Sequence, residues 1–139
     1  MLTLLLPVDG SPGSNHAVEF AIKLYREVAP IDIRLLHVVT VDDGVGLDPM
    51  EREAGSDAGL ENGIRTLSSA RAILDRELIP YASEVRRGFA PATIIQYAAT
   101  TACDGIIMGT SGMGTTDALL GSIARQVIRL SDVPVTLVK

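Results

Sequence analysis

The sequence is poor in the residues that build redox and metal chemistry. Cys103 is the single cysteine in 139 residues, which excludes an internal disulfide and a cysteine-rich metal site. Two histidines, His16 and His37, offer little to a zinc centre. There is no tryptophan, and two phenylalanines and three tyrosines are too few to favour a flavin sandwich. Positive charge is scarce as well: 12 basic against 17 acidic residues leave a net charge of −5 and no basic run. Such a balance disfavours nucleic acid and anionic membranes as partners. No stretch approaches the roughly 20 apolar residues of a membrane span. The opening Met1-Leu2-Thr3-Leu4-Leu5-Leu6-Pro7 lacks a basic n-region, and its apolar run is short for export. The compartment expected from these absences is reducing and cytoplasmic.

What remains is the size and mix of one soluble domain, residues 1–139, with 47% hydrophobic and 21% charged residues. Five short apolar runs read as strands: Leu2–Val8, Ile31–Val39, Ser83–Arg87, Gly105–Met108 and Val133–Val138. The first, second and fifth are nearly continuous in Leu, Ile and Val, as strands covered on both faces should be. Helical stripes lie between them. Val18, Ala21, Ile22, Tyr25 and Val28 form the first, with Ser11 or Ser14 as its N-cap. Leu60, Ile64, Leu67, Leu74 and Leu78 form the second, ending before Pro80. Pro91 opens the third, burying Ile94, Ile95, Ala98 and Ala99. The fourth runs from about Thr116 to Leu130, with Leu120, Ile123, Val127 and Leu130 inward. Thr40–Gly59, rich in Gly, Asp and Glu, reads as a surface loop.

Strict alternation of strand and helix implies a parallel sheet with helices on both faces. The simplest arrangement is a doubly wound, Rossmann-like α/β sheet of five strands in the order 3-2-1-4-5. Ligands in such sheets bind beyond the carboxyl ends of the strands, where the order reverses, here between strands one and four. The turn after strand one is Pro7-Val8-Asp9-Gly10-Ser11. The turn after strand four is Gly109-Thr110-Ser111-Gly112-Met113-Gly114-Thr115-Thr116. Glycines at 109, 112 and 114 would let backbone N–H groups ring an anion, and the following helix N-terminus favours negative charge. The same glycines would equally serve a tight strand-to-helix turn.

Asp9 could accept from a ribose hydroxyl, ligate Mg²⁺ or cap the first helix. His37, inside Leu35-Leu36-His37-Val38-Val39, reads as a packed histidine, and His16 as solvent-facing. Arg86 and Arg87 end strand three on the side of the crevice and read mainly as a solvated edge. Cys103, at the far end of strand four, reads as structural. No Gly-Lys-Ser/Thr follows the glycine loop, no G-x-G-x-x-G follows strand one, and no G-x-S-x-G elbow occurs. No pair of acidic residues follows strand one, as a phospho-accepting receiver would require. A nucleotide-sized crevice is signalled, but no catalyst.

Along its whole length the chain resembles the universal stress protein family, and within it the nucleotide-binding branch. The resemblance rests on Pro7-Val8-Asp9-Gly10-Ser11, Leu36-His37-Val38-Val39, Val85-Arg86-Arg87-Gly88, Gly109-Thr110-Ser111-Gly112, Leu119-Leu120-Gly121-Ser122 and Asp132-Val133-Pro134-Val135-Thr136-Leu137-Val138. That branch carries Gly-x2-Gly-x9-Gly-Ser/Thr. By this resemblance Asp9 holds the ribose or adenine side, while Pro7 and the Val38 backbone flank the adenine. Gly109, Gly112, Gly121 and the Ser122 hydroxyl hold ribose and phosphates, with Met113 and Gly114 in the same loop. One departure stands out: eight residues, Met113 to Leu120, separate Gly112 from Gly121 where the pattern has nine. A deletion inside a helix would rotate all that follows by about 100°. The shortening is therefore expected near Met113–Thr116, leaving Leu119-Leu120-Gly121-Ser122 helical and the phosphate ring one residue tighter.

The function expected is a stress-response binding module for ATP, ADP or AMP, with Mg²⁺ held only through the phosphates. Slow ATP hydrolysis or phosphoryl transfer is the second reading, and a nucleotide-free structural dimer the third. The resemblance also implies a homodimer through the terminal strand Val133–Val138, an apolar edge with no charge before Lys139.

Overall fold

A computed structural model describes residues 1–40, 49–111 and 120–139, with the backbone alone for 49–58. The strands are β1 (Leu2–Pro7), β2 (Ile31–Thr40), β3 (Tyr81–Gly88), β4 (Gly105–Gly109) and β5 (Val135–Val138). They alternate with the helices α1 (Pro12–Glu27), α2 (Pro49–Arg76), α3 (Ala90–Thr100) and α4 (Ser122–Leu130). The sheet order is β3-β2-β1-β4-β5, as expected, and every pairing is parallel.

The unbroken apolar run of β1 has a direct consequence: successive residues feed opposite cores. Leu6 joins Val18, Ala21, Ile33, Leu35, Leu67 and Leu74 under α1 and α2. Leu5 joins Leu36, Ile94, Ile106, Ala124 and Val127 under α3 and α4. Sheet faces covered on both sides need apolar residues at both parities.

Two helices differ from the sequence expectation. Helix α2 begins at Pro49, so 49–59 is helical where a loop over Thr40–Gly59 is expected; residues 41–48 lie outside the described residues. Proline is tolerated in a first helical turn, and the polar composition of this segment offers no apolar stripe to betray it. The buried stripe of α2 keeps Leu67 and Leu74 of the expected one but runs through Gly63 and Ala70 instead of Leu60, Ile64 and Leu78. Leu60 and Ile64 are 37% and 54% exposed. The cause is Gly63, where a Cβ would stand 2.8 Å from Val85 Cγ1 and 3.0 Å from Val39 Cγ2. The helix approaches the sheet on its glycine and turns its larger neighbours outward. Leu78 lies beyond the helix at φ 57° and is 89% exposed.

Helix α4 begins at Ser122, later than the expected Thr116, of which 116–119 lie outside the described residues. Gly121 is its N-cap, extended at φ −62° and ψ 154°, so Leu120 and Gly121 are not in helical register. Gly121 N–H donates to Thr110 O at 2.7 Å, which holds the chain against the end of β4 and delays the helix. Its inward face is Ala124 and Val127, whereas Ile123 and Leu130 are 38% and 55% exposed. In α3, Tyr97 is buried and Ala99 exposed. Val28 is exposed at the end of α1. Pro134 delays β5 to Val135, and Val133 instead accepts and donates to the Ser131 hydroxyl at 2.7 and 3.1 Å.

Candidate functional site

The reversal of strand order opens a cavity of about 320 Å³ at the carboxyl ends of β1, β2 and β4. Its construction starts at Pro7, the last residue of β1, paired with Leu36 of β2. Beyond it Val8 N–H still donates to Leu36 O at 2.8 Å, and then the chain turns. Asp9 accepts from Ser11 N–H at 2.9 Å, an Asx turn that Gly10 completes at φ +80°. Ser11 then caps α1, its hydroxyl accepting from Ser14 N–H at 3.2 Å. The Ser14 hydroxyl lies 3.4 Å from Asp9 N and donates to Ser11 O at 3.2 Å. Both serines are buried and line the cavity.

The opposite wall comes from β4 and α4. Met108, Gly109, Thr110 and Ser111 lead into the segment 112–119, and the chain returns through Gly121 and Ser122. Gly121 provides α4 with no side-chain cap. Ser122, Ile123 and Ala124 all line the cavity, and the first N–H groups of a helix have no intrahelical acceptor. Three helices start at this crevice, because Ala90, the first residue of α3, lines it too. The start of α1 is closed by its own serines, whereas the N-cap residues Phe89 of α3 and Gly121 of α4 supply no side-chain cap. Pro91 removes one N–H from the first turn of α3, and α4 keeps all of its own.

Pro7, Asp9, Val38, Gly109, Gly121 and Ser122 thus meet around one cavity. Gly112, Met113 and Gly114 lie outside the described residues. Gly109 also has a packing reason to be glycine. A Cβ there would stand 2.7 Å from Gly13 C and 3.1 Å from Ser14 N, both backbone atoms of α1. Conversely, a Cβ on Gly13 would stand 2.7 Å from Ser111 O. Sequence reasoning overlooked Gly13, although a small residue in the first turn after a capping serine was a usable signal. It also overlooked Ser14 as a lining residue, and Ala90 and Ile94, which only the packing of α3 brings here.

His37 lines the cavity and places Nδ1 2.8 Å from Val8 O. It is a hydrogen-bonded histidine, as a packed one should be. His16 is exposed. Arg86 and Arg87 are not among the lining residues. Arg86 pairs with Glu84 at 2.8 Å and sits 5.5 Å from the centre of the Tyr97 ring. Burial, reinforced by Glu84, pushes the Tyr97 phenol above its ordinary value. Cys103 is buried before β4, its sulfur 3.2 Å from the Thr101 hydroxyl. Asp9 and His37 are the titratable side chains among the described lining residues, and neither Lys nor Arg joins them. Among the described residues no cluster of potential metal ligands forms, and no helix is long and apolar enough to cross a membrane.

An open, parallel five-stranded sheet with helices on both faces and a polar-rimmed crevice at its switch point defines the class of doubly wound α/β domains. The universal stress protein family matches residues 1–139, and the chain belongs to that family. It is 32% identical to a universal stress protein of Methanocaldococcus jannaschii over 98% of this chain and 81% of that protein. Among solved structures, the hypothetical protein MJ0577 matches at TM-score 0.80 and 24% identity, covering 99% of this chain and 95% of the other. The universal stress protein from Archaeoglobus fulgidus in complex with dAMP matches at 0.69 and 21%, covering 100% and 98%.

Proposed function

We propose that this chain binds an adenine nucleotide in the switch-point cavity and acts as a stress-response binding module of the cytoplasm. The observation that carries this reading is the N-terminus of α4, which its N-cap Gly121 leaves without a side-chain cap, opening on a cavity whose far wall is the Asp9 turn. The dAMP-bound relative from Archaeoglobus fulgidus supports it. In this reading Asp9 faces the ribose, Pro7 and the Val38 backbone flank the base, and Gly109, Gly112, Met113, Gly114, Gly121 and Ser122 surround the phosphates. Any Mg²⁺ would be held through the phosphates of ATP or ADP. With no positioned base assigned, hydrolysis would be weak at most, and the chain would work as a homodimer paired through β5.

The test has two parts. Mass spectrometry of gently denatured, freshly purified protein should release AMP, ADP or ATP; its absence, together with no heat on titration of AMP and ATP, would defeat the reading. Ser122→Ala then isolates the phosphate contact. A hydrogen bond to a charged group contributes about 1.5–3 kcal/mol, so affinity should fall roughly 10- to 150-fold with little change in apo melting temperature. Equal losses for AMP and ATP would mean that the first phosphate meets Ser122, and a larger loss for ATP that the outer ones do. Unaltered affinity for both would remove Ser122 from the site.

A further inference from the structure

We infer that His37 is a positioning residue for the nucleotide site, holding the Val8–Asp9 peptide from the neighbouring strand β2; this rests on the nucleotide reading above. A carbonyl can only accept, so the 2.8 Å contact to Val8 O requires the proton on Nδ1. Val8 is already past the end of β1. Leu36 O takes its N–H at 2.8 Å and His37 takes its carbonyl, so neighbouring residues of β2 clamp both polar groups of one residue. The peptide leaving that clamp is the one that delivers Asp9 to the cavity.

The imidazole is held in turn. Its Cδ2 would stand 3.3 Å from a Cβ on Gly63, so α2 lies directly over the ring at its glycine. A turn further along, Thr66 packs on the other end of the same turn: a Cβ on Gly10 would stand 3.3 Å from Thr66 Cγ2. Ser69 reaches Asn15 in α1 at 3.2 Å. One face of α2 therefore bears on His37, Gly10 and α1 in succession. The residues it bears on bracket Asp9. A histidine serves better here than an aliphatic residue because Val8 O, beyond the strand ladder, has no β1–β2 partner left. It serves better than a lysine because a flat ring fits beneath the helix.

The test compares three side chains. His37→Asn keeps an N–H donor at the position of Nδ1, whereas His37→Leu keeps comparable bulk and loses it. In nucleotide-free protein, amide hydrogen exchange at Asp9 and Ser11 should accelerate in His37→Leu by about 3- to 10-fold, the range of one neutral hydrogen bond, and return in His37→Asn. Calorimetric titration with AMP should show a loss of similar size in His37→Leu and recovery in His37→Asn. If wild type binds AMP and both variants bind it equally well, or if His37→Asn behaves as His37→Leu, the positioning role is overturned. If wild type itself binds neither AMP nor ATP, the nucleotide reading falls first, and this role falls with it whatever the exchange data show.

Discussion

At the scale of single residues, two glycines set the geometry of the crevice by what they omit. Gly13 and Gly109 bring the first turn of α1 against the end of β4 backbone to backbone, which leaves Ser14 and Ser111 to line the space between β1 and β4. Overpacking of this kind typically costs about 1–3 kcal/mol. Gly109→Ala should therefore lower the unfolding free energy by that amount and shift the urea midpoint down in proportion, because the atoms a methyl would meet are main-chain atoms that cannot rotate away. An unchanged midpoint would show that α1 can slide, and Gly109 would then have no packing role. The glycine-rich run from 109 reads in the sequence as a candidate anion loop, and its first member has a packing role that no local pattern announces. Its partner is far away in sequence, beside the capping Ser11.

At the scale of elements, α2 shows most plainly how tertiary packing overrides a hydrophobic stripe. Leu60 and Ile64 belong to an apparent apolar face, yet the buried line runs through Gly63, Leu67, Ala70 and Leu74. A line containing a glycine and an alanine looks weak to any measure that counts large side chains. It lets the helix axis come closer, and the close approach is what buries Leu67 and Leu74 at 3% and 0% exposure. Leu74→Ala should cost about 2–5 kcal/mol, whereas Ile64→Ala should stay within about 0.5 kcal/mol. Paired denaturation curves decide this, and equal effects would mean that both residues are packed in solution. The late start of α4 follows the same logic. The Thr110–Gly121 hydrogen bond, made between residues on either side of 112–119, fixes where the helix begins.

At the scale of the whole molecule, the sheet has two edges of different character. β3 carries Glu84, Arg86 and Arg87, charges that discourage pairing with another strand. β5 is short and apolar, and α4 beside it leaves Ile123, Ile128 and Leu130 partly exposed. This uncharged edge next to apolar helix residues is the surface that the proposed homodimer would use. Val135→Lys should accordingly yield monomer or insoluble protein. A dimer of unaltered mass by light scattering would move the interface elsewhere.

Alternation of apolar runs with helical stripes was enough to determine the fold class, the strand order and the end of the sheet at which a crevice opens. These follow from periodicity, from the crossovers that parallel strands need, and from their fixed handedness. The turn of Pro7, Asp9 and Ser11 was legible too, because turn chemistry is local; Gly121 and Ser122 came from the family resemblance alone, and with the wrong local structure, since Gly121 is an extended N-cap and not helical. What only the tertiary structure decided is which atoms share the cavity walls and which helix starts face it. Ala90 and Ile94 arrive with α3, Gly13 answers Gly109 across a long stretch of chain, and His37 of β2 holds Val8 just past the end of β1. Each of these depends on distances between elements, and those distances are set by the small residues through which the elements touch.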